Sequence, residues 1–133
     1  MAGHLALGID VGTTGLKAVA LDPAAGIVAQ AHRHHTLRSP QPGWAEEDPA
    51  EWWATTREAV RELVAQLTPG SIAAVGVTGM VPAMVLLDED DQMLRPAILM
   101  NDARAVVEVE ELRLAVAPDE FFARTGGMPN QQN

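Results

Sequence analysis

The 133-residue sequence contains no cysteine, so disulfides, thiolate metal sites and cysteine nucleophiles are excluded. Tyrosine is absent too, and only two phenylalanines and three tryptophans supply aromatic surface. Positive charge is scarce: nine Lys and Arg face eighteen Asp and Glu, a formal net charge of -9. Such a surface repels a phosphate backbone, so nucleic-acid and anionic-membrane binding are poor expectations. No stretch approaches the roughly 20 apolar residues that cross a bilayer. The N-terminus has neither the basic start nor the long apolar run of a signal peptide, and the expectation is a cytoplasmic protein. Apolar residues make up 47% of the chain, enough for a packed domain rather than a disordered one.

Local patterning predicts an α/β domain with a mixed sheet. Residues 5–10, 16–22 and 27–36 read as three sequential antiparallel strands joined by tight turns, a β-meander. Residues 39–48 hold Pro40, Pro42 and Gly43 and read as a loop. Asp48-Pro49-Ala50-Glu51 then gives a helix start: a capping carboxylate, proline at the first helical position, and a glutamate where a capping box places it. Trp52, Thr56, Ala59, Leu63 and Leu67 recur at helical spacing, with Trp53, Val60 and Val64 widening the stripe, until Pro69-Gly70. Further strands are predicted at 72–78 and 83–88, an extended piece at 93–99, and helices at 103–116 and 119–124. Residues 128–133 read as an unstructured tail. Strict strand-helix alternation is missing, which argues against a doubly wound parallel fold.

The most informative segment is Gly8-Ile9-Asp10-Val11-Gly12-Thr13-Thr14-Gly15-Leu16-Lys17. Glycines let backbone approach a bulky anion and present N–H groups to it. Thr13 and Thr14 add hydroxyls, Lys17 a positive charge, and Asp10 a carboxylate able to hold Mg²⁺ through water. The same glycines would equally serve a plain hairpin. The spacing fits neither a P-loop, since Lys17 does not follow Gly15, nor a dinucleotide fingerprint, which requires a helix straight after Gly15.

Residues 9–17 resemble the first phosphate motif of the actin and sugar-kinase superfamily. Pro42-Gly43-Trp44-Ala45-Glu46-Glu47-Asp48-Pro49-Ala50-Glu51-Trp52-Trp53 and Ile72-Ala73-Ala74-Val75-Gly76-Val77-Thr78-Gly79 narrow the resemblance to the FGGY carbohydrate kinases, xylulokinase-like branch. The second of these continues through Leu86-Leu87-Asp88 to Leu94-Arg95-Pro96-Ala97-Ile98-Leu99-Met100-Asn101-Asp102-Ala103-Arg104. The resemblance runs from about Leu7 to Gly127. It implies a ribonuclease-H-like, actin-like ATPase domain, residues 1–133 being an incomplete N-terminal part of a two-domain kinase. It further implies that ATP and Mg²⁺ are cofactors, that a sugar or polyol is the acceptor, and that Asp10, Gly12, Thr13, Thr14 and Lys17 face the phosphates, with Asp10 toward the metal. Val81, Pro82, Met100, Asn101 and Asp102 would lie near the sugar. The family's general-base aspartate would lie beyond residue 133, so no catalytic base is assigned here and the chain alone is expected to be inactive.

Two positions depart from the xylulokinase pattern. Met80-Val81-Pro82-Ala83 stands where Gln-Met-His-Gly is usual, and Met100 stands where tryptophan is usual. Both put D-xylulose in doubt as acceptor without touching the phosphate motif.

Other features carry blander alternatives. Asp102 and Arg104 also fit an ordinary surface ion pair beside a helix start, with Asp102 capping the helix. Trp52 and Trp53 open the apolar stripe and are expected in the core, whereas Trp44 on its loop is a candidate for the sugar cleft. His34 and His35 would point to opposite faces of a strand, which disfavours a metal cluster with His32. Residues 88–91 read as a solvated acidic turn. Two rival functions remain: a non-catalytic binding module whose incomplete sheet a partner or a homodimer would cover, and a dinucleotide-dependent dehydrogenase, which requires a helix after Gly15.

Overall fold

The computed structural model describes residues 4–129. The first three strands are β1 (Leu5–Gly12), β2 (Gly15–Asp22) and β3 (Gly26–His34). They form the expected antiparallel meander, and a strand directly after Gly15 excludes the dehydrogenase reading. The loop over 39–48 ends in a two-residue strand, β4 (Glu46–Glu47), followed by α1 (Pro49–Val64). Next come β5 (Ile72–Gly79), β6 (Ala97–Ile98), α2 (Val106–Ala115) and α3 (Pro118–Thr125). The main sheet has the order β3-β2-β1-β5, with β5 parallel to β1 and the other pairs antiparallel. A second small sheet pairs β4 with β6.

Side-chain alternation sends Leu7, Leu16, Ala18, Ala20, Ala29 and Ala31 to one face, where Ala59 and Leu63 of α1 meet them. The alanines keep that face shallow enough for the helix to sit close. Asp48 caps α1 through Ala50 N–H at 2.9 Å, as the sequence predicts. Glu51 does not close a capping box. Its carboxylate accepts from Thr36 N–H at 2.9 Å and Thr36 Oγ1 at 2.8 Å, lashing the helix start to the end of β3. Those bonds hold the Glu51 carboxyl below its usual pKa.

Helix α1 lies across β2 and β3 and barely reaches β1. Val75 and Val77 of β5 are therefore 60% and 71% exposed. Trp53 is 65% exposed, outside the core expected for it, because only the Trp52, Ala59 and Leu63 side of the helix meets the sheet.

The expected strand at 83–88 does not form. Isolated bridges, Met84 to Ile98 of β6 and Leu87 to Met93, and single backbone bonds such as Leu94 N–H to Leu86 O at 3.0 Å engage it without building a ladder. Asp88 closes the acidic turn, its Oδ1 accepting from the N–H groups of Asp90 and Gln92. The second helix starts at Val106 rather than 103, with Ala105 as an uncapped N-cap, because Asp102 is used elsewhere. Part of the tail, residues 130–133, lies outside the described residues. No helix among the described residues is long and apolar enough to cross a membrane.

Asp102 pins the small sheet. Its buried carboxylate accepts from Ala45 N–H at 2.6 Å, Arg104 N–H at 2.9 Å, and the Arg104 guanidinium at 2.8 and 2.6 Å. Arg104 also donates to Glu46 Oε1 at 2.8 Å, which Arg95 shares, and its guanidinium stacks 3.7 Å over the Trp44 ring. The Arg104 guanidinium, then the two backbone N–H groups, hold the Asp102 carboxyl well below its ordinary 3.8. A carboxylate with a depressed native pKa stabilises fully above the unfolded value and loses that contribution as pH falls below it. The domain therefore loses stability below about pH 4, and Asp102→Asn flattens this acid limb while costing roughly 1–3 kcal/mol at neutral pH; denaturant titration against pH reads both.

Gly15 is the most constrained glycine. Its φ is +153°, and a Cβ there would lie 2.1 Å from the Arg33 carbonyl oxygen. Gly26 has φ +82° but open space around it. Gly15→Ala is expected to cost on the order of 3 kcal/mol or more. Gly26→Ala is expected to cost about 1–2 kcal/mol. Paired thermal melts distinguish the two, and equal losses would contradict the close approach of β3.

Candidate functional site

Strands β1 and β5 run parallel and end together, with Val11 beside Gly79. Met80 N–H donates to Val11 O at 3.0 Å, so the chain leaves β5 next to the β1–β2 turn. Crevices outside the carboxyl ends of parallel strands are where α/β sheets bind ligands. Gly12 pairs with Gly15 across the turn, leaving Thr13 and Thr14 at its exposed tip.

Asp10 sits in register with Lys17 on one side and Thr78 on the other. This row lies on the face opposite α1. Together with Gly8, Val19 and Gly76 it lines an open depression of about 540 Å³. The glycines make its floor: a Cβ at Gly8 would press Val19 Cγ2 at 3.2 Å. Asp10 and Lys17 are both exposed, and neither has an ion-pair partner among the described residues. A free carboxylate, two free hydroxyls and an ammonium thus share one turn and one sheet face. That donor set suits a magnesium-bound polyphosphate: hard oxygen for the metal, positive charge and hydroxyls for the anion.

The second group of candidate residues divides. Val81, Pro82, Met100 and Asn101 are exposed, and the Met84–Ile98 bridge draws the segment after β5 alongside β6. Asp102 points inward, its carboxylate committed to Ala45 and Arg104, so the pair with Arg104 forms but is buried rather than at the surface, and Asp102 does not cap α2. Trp44 packs its ring on Arg104.

One cluster was not singled out by the sequence reading. The side chain of His35, just past β3, is fully buried. Its Nδ1 lies 3.1 Å from Gly12 O and its Nε2 3.1 Å from Thr55 Oγ1. Glu47, also fully buried, holds Oε2 at 3.7 Å from His35 Nδ1 and accepts there from Trp52 Nε1 at 2.6 Å. Its Oε1 has no partner, and burial raises its carboxyl pKa. His32 and His34 lie on the other face with rings 4.6 Å apart. The inward phase Ala29, Ala31, Arg33 carries on to His35 and signals its burial, but nothing in the sequence pattern marks Glu47 as its neighbour.

The chain matches the FGGY family of carbohydrate kinases, N-terminal domain, over residues 5–131. It is 39% identical over 123 residues to a xylulose kinase of Klebsiella pneumoniae, covering 92% of this chain and 26% of that one. A glycerol kinase of Synechocystis is 36% identical, covering 90% of this chain and 25% of the relative. The crystal structure of xylulose kinase from Rhodospirillum rubrum superposes with a TM-score of 0.90 at 44% identity, over 96% of this chain and 27% of that one. The chain thus spans about a quarter of the length of these relatives. With the actin-like ATPase fold in common, it belongs to the FGGY family of carbohydrate kinases and carries sequence of their N-terminal domain.

Proposed function

We propose that this chain is the phosphate-facing N-terminal part of a cytoplasmic kinase that transfers the γ-phosphoryl group of ATP to a hydroxyl of a sugar or polyol. The observation that supports this most is the unpaired Asp10 carboxylate beside the exposed Thr13, Thr14 and Lys17, at the joint end of two parallel strands. In this reading Thr13 and Thr14 hydrogen-bond phosphate oxygens, Lys17 offsets their charge, and Asp10 holds Mg²⁺ directly or through water. Magnesium, when bound, neutralises charge that builds on the transferring group. Gly12 and Gly15 keep the turn free of side chains on the ligand's approach.

Val81, Pro82, Met100 and Asn101 form part of the acceptor side. Pro82 has no N–H to donate and Met100 no indole, so this acceptor is gripped by other groups than a histidine and a tryptophan at those positions. Asp102 acts there only indirectly, by fixing the 99–104 segment. The aspartate that takes the hydroxyl proton belongs to the part of the enzyme this chain does not span.

A second reading, a non-catalytic module covered by a partner or by its own copy, draws on the exposed Val75 and Val77. Light scattering separates the two: a monomeric 133-residue chain counts against self-association as its role.

Asp10→Asn in the full-length protein is expected to lower kcat about 10²-fold or more while leaving the acceptor KM nearly unchanged. Lys17→Met is expected to raise the KM for ATP. Steady-state kinetics with a panel of sugars and polyols reads both, and an Asp10→Asn enzyme with undiminished kcat overturns the assignment. The 133-residue chain by itself is expected to phosphorylate none of them.

A further inference from the structure

We infer that His35 is a positioning residue for the phosphate-facing turn, clamping it from beneath through two backbone carbonyls. The inference rests on the kinase reading above and adds to it a residue that never touches the nucleotide.

Two contacts carry it. The backbone N–H of His35 donates to Thr14 O at 3.3 Å, and Nδ1 of its ring lies 3.1 Å from Gly12 O. A carbonyl oxygen only accepts, so the Gly12 contact requires the proton on Nδ1. The other ring nitrogen meets Thr55 Oγ1, which also donates toward the carbonyls of Glu51 and Trp52. Whether Thr55 gives its proton to Nε2 or takes one from it, Nδ1–H stays on Gly12.

The consequence follows from peptide geometry. In a trans peptide the carbonyl and the next N–H point in opposite directions. Tying Gly12 O inward to His35 therefore turns the Thr13 N–H away from the core. An anion-binding turn needs that orientation, because a carbonyl facing the phosphates would repel them. Glycines on both sides of the tip leave the peptide planes free to rotate, so an external anchor is needed to select the competent one.

A hairpin of this length does not require such an anchor for stability. An apolar residue at 35 would fill the space without burying an imidazole. The polar cluster converges on the turn from three elements: His35 after β3, Glu47 on β4, and Trp52 and Thr55 on α1. The structure thus places a costly buried network under the segment that faces the ligand.

Two near-isosteric substitutions split the ring's contacts. Asparagine sets an amide N–H where Nδ1 stands and keeps the Gly12 bond. Glutamine reaches the Nε2 position, keeps Thr55 and gives up Gly12. In the full-length kinase, with ATP and the best acceptor of the panel, His35→Asn is expected to keep kcat/KM for ATP within about twofold of the parent. His35→Gln is expected to lose about tenfold, with the acceptor KM unchanged, as befits one lost hydrogen bond. A role confined to stability would lower the melting temperature of both without separating their ATP kinetics. Equal kcat/KM for ATP in the two variants overturns the inference, as does failure of both to fold. Asp10→Asn run in parallel tells the cases apart. If it lowers kcat while the His35 pair does not differ, only the clamp is wrong; if it too is without effect, the phosphate-site reading itself has failed.

Discussion

The structure depends on one close approach, that of β3 to the turn between β1 and β2. The Arg33 carbonyl occupies the space where a side chain at Gly15 would begin. Because that position is glycine, β3 runs tight against the hairpin and delivers His35 beneath it, with Thr36 next in the chain. Thr36 then receives the Glu51 carboxylate, which fixes where α1 starts, and the helix lays Ala59 and Leu63 on the alanine-lined sheet. The turn, the third strand and the helix are thus one mechanical unit, and the turn is rigid because the core is built onto it.

A second set of constraints assembles the rest. Burying Asp102 is tolerable only because four donors from Ala45 and Arg104 surround it. Arg104 in turn satisfies Glu46 and stacks on Trp44, so charge neutralisation in a poorly solvated spot joins the 43–48 and 97–104 segments. That junction sits one residue from Glu47, which meets Trp52 and His35, the residue that reaches the turn. The two groups of candidate residues, one for phosphates and one for the acceptor, therefore share a buried polar scaffold, while the side chains of the candidate residues Asp10, Thr13, Thr14 and Lys17 have no ion pair or hydrogen bond among the described residues.

Much of this was legible in the sequence because the signals were local. Turn glycines, the alternation in residues 5–36, and Asp48-Pro49 before an apolar stripe each specify backbone geometry over a few residues. The 83–88 run misled for a tertiary reason: Met84, Val85 and Leu86 have strand propensity, but the two-residue β6 and the 92–94 return beside them supply isolated bridges rather than a ladder. Trp53 misled because a stripe widened on paper outruns the strip of helix that meets the sheet. Asp102 could be seen as an ion-pair partner of Arg104, yet its bond to Ala45 N–H, 57 residues away in sequence, could not. The same holds for Glu47, whose meaning appears only when β4 and α1 close over His35.

The central claim is that the turn between β1 and β2 grips the charged tail of a nucleotide. A crystal structure of the intact enzyme with magnesium and a non-hydrolysable ATP analogue tests it most directly. The account predicts phosphate oxygens at hydrogen-bonding distance from Thr13 or Thr14, with the metal on the Asp10 side of the turn. A triphosphate bound elsewhere, with residues 10–17 facing empty solvent, would contradict it.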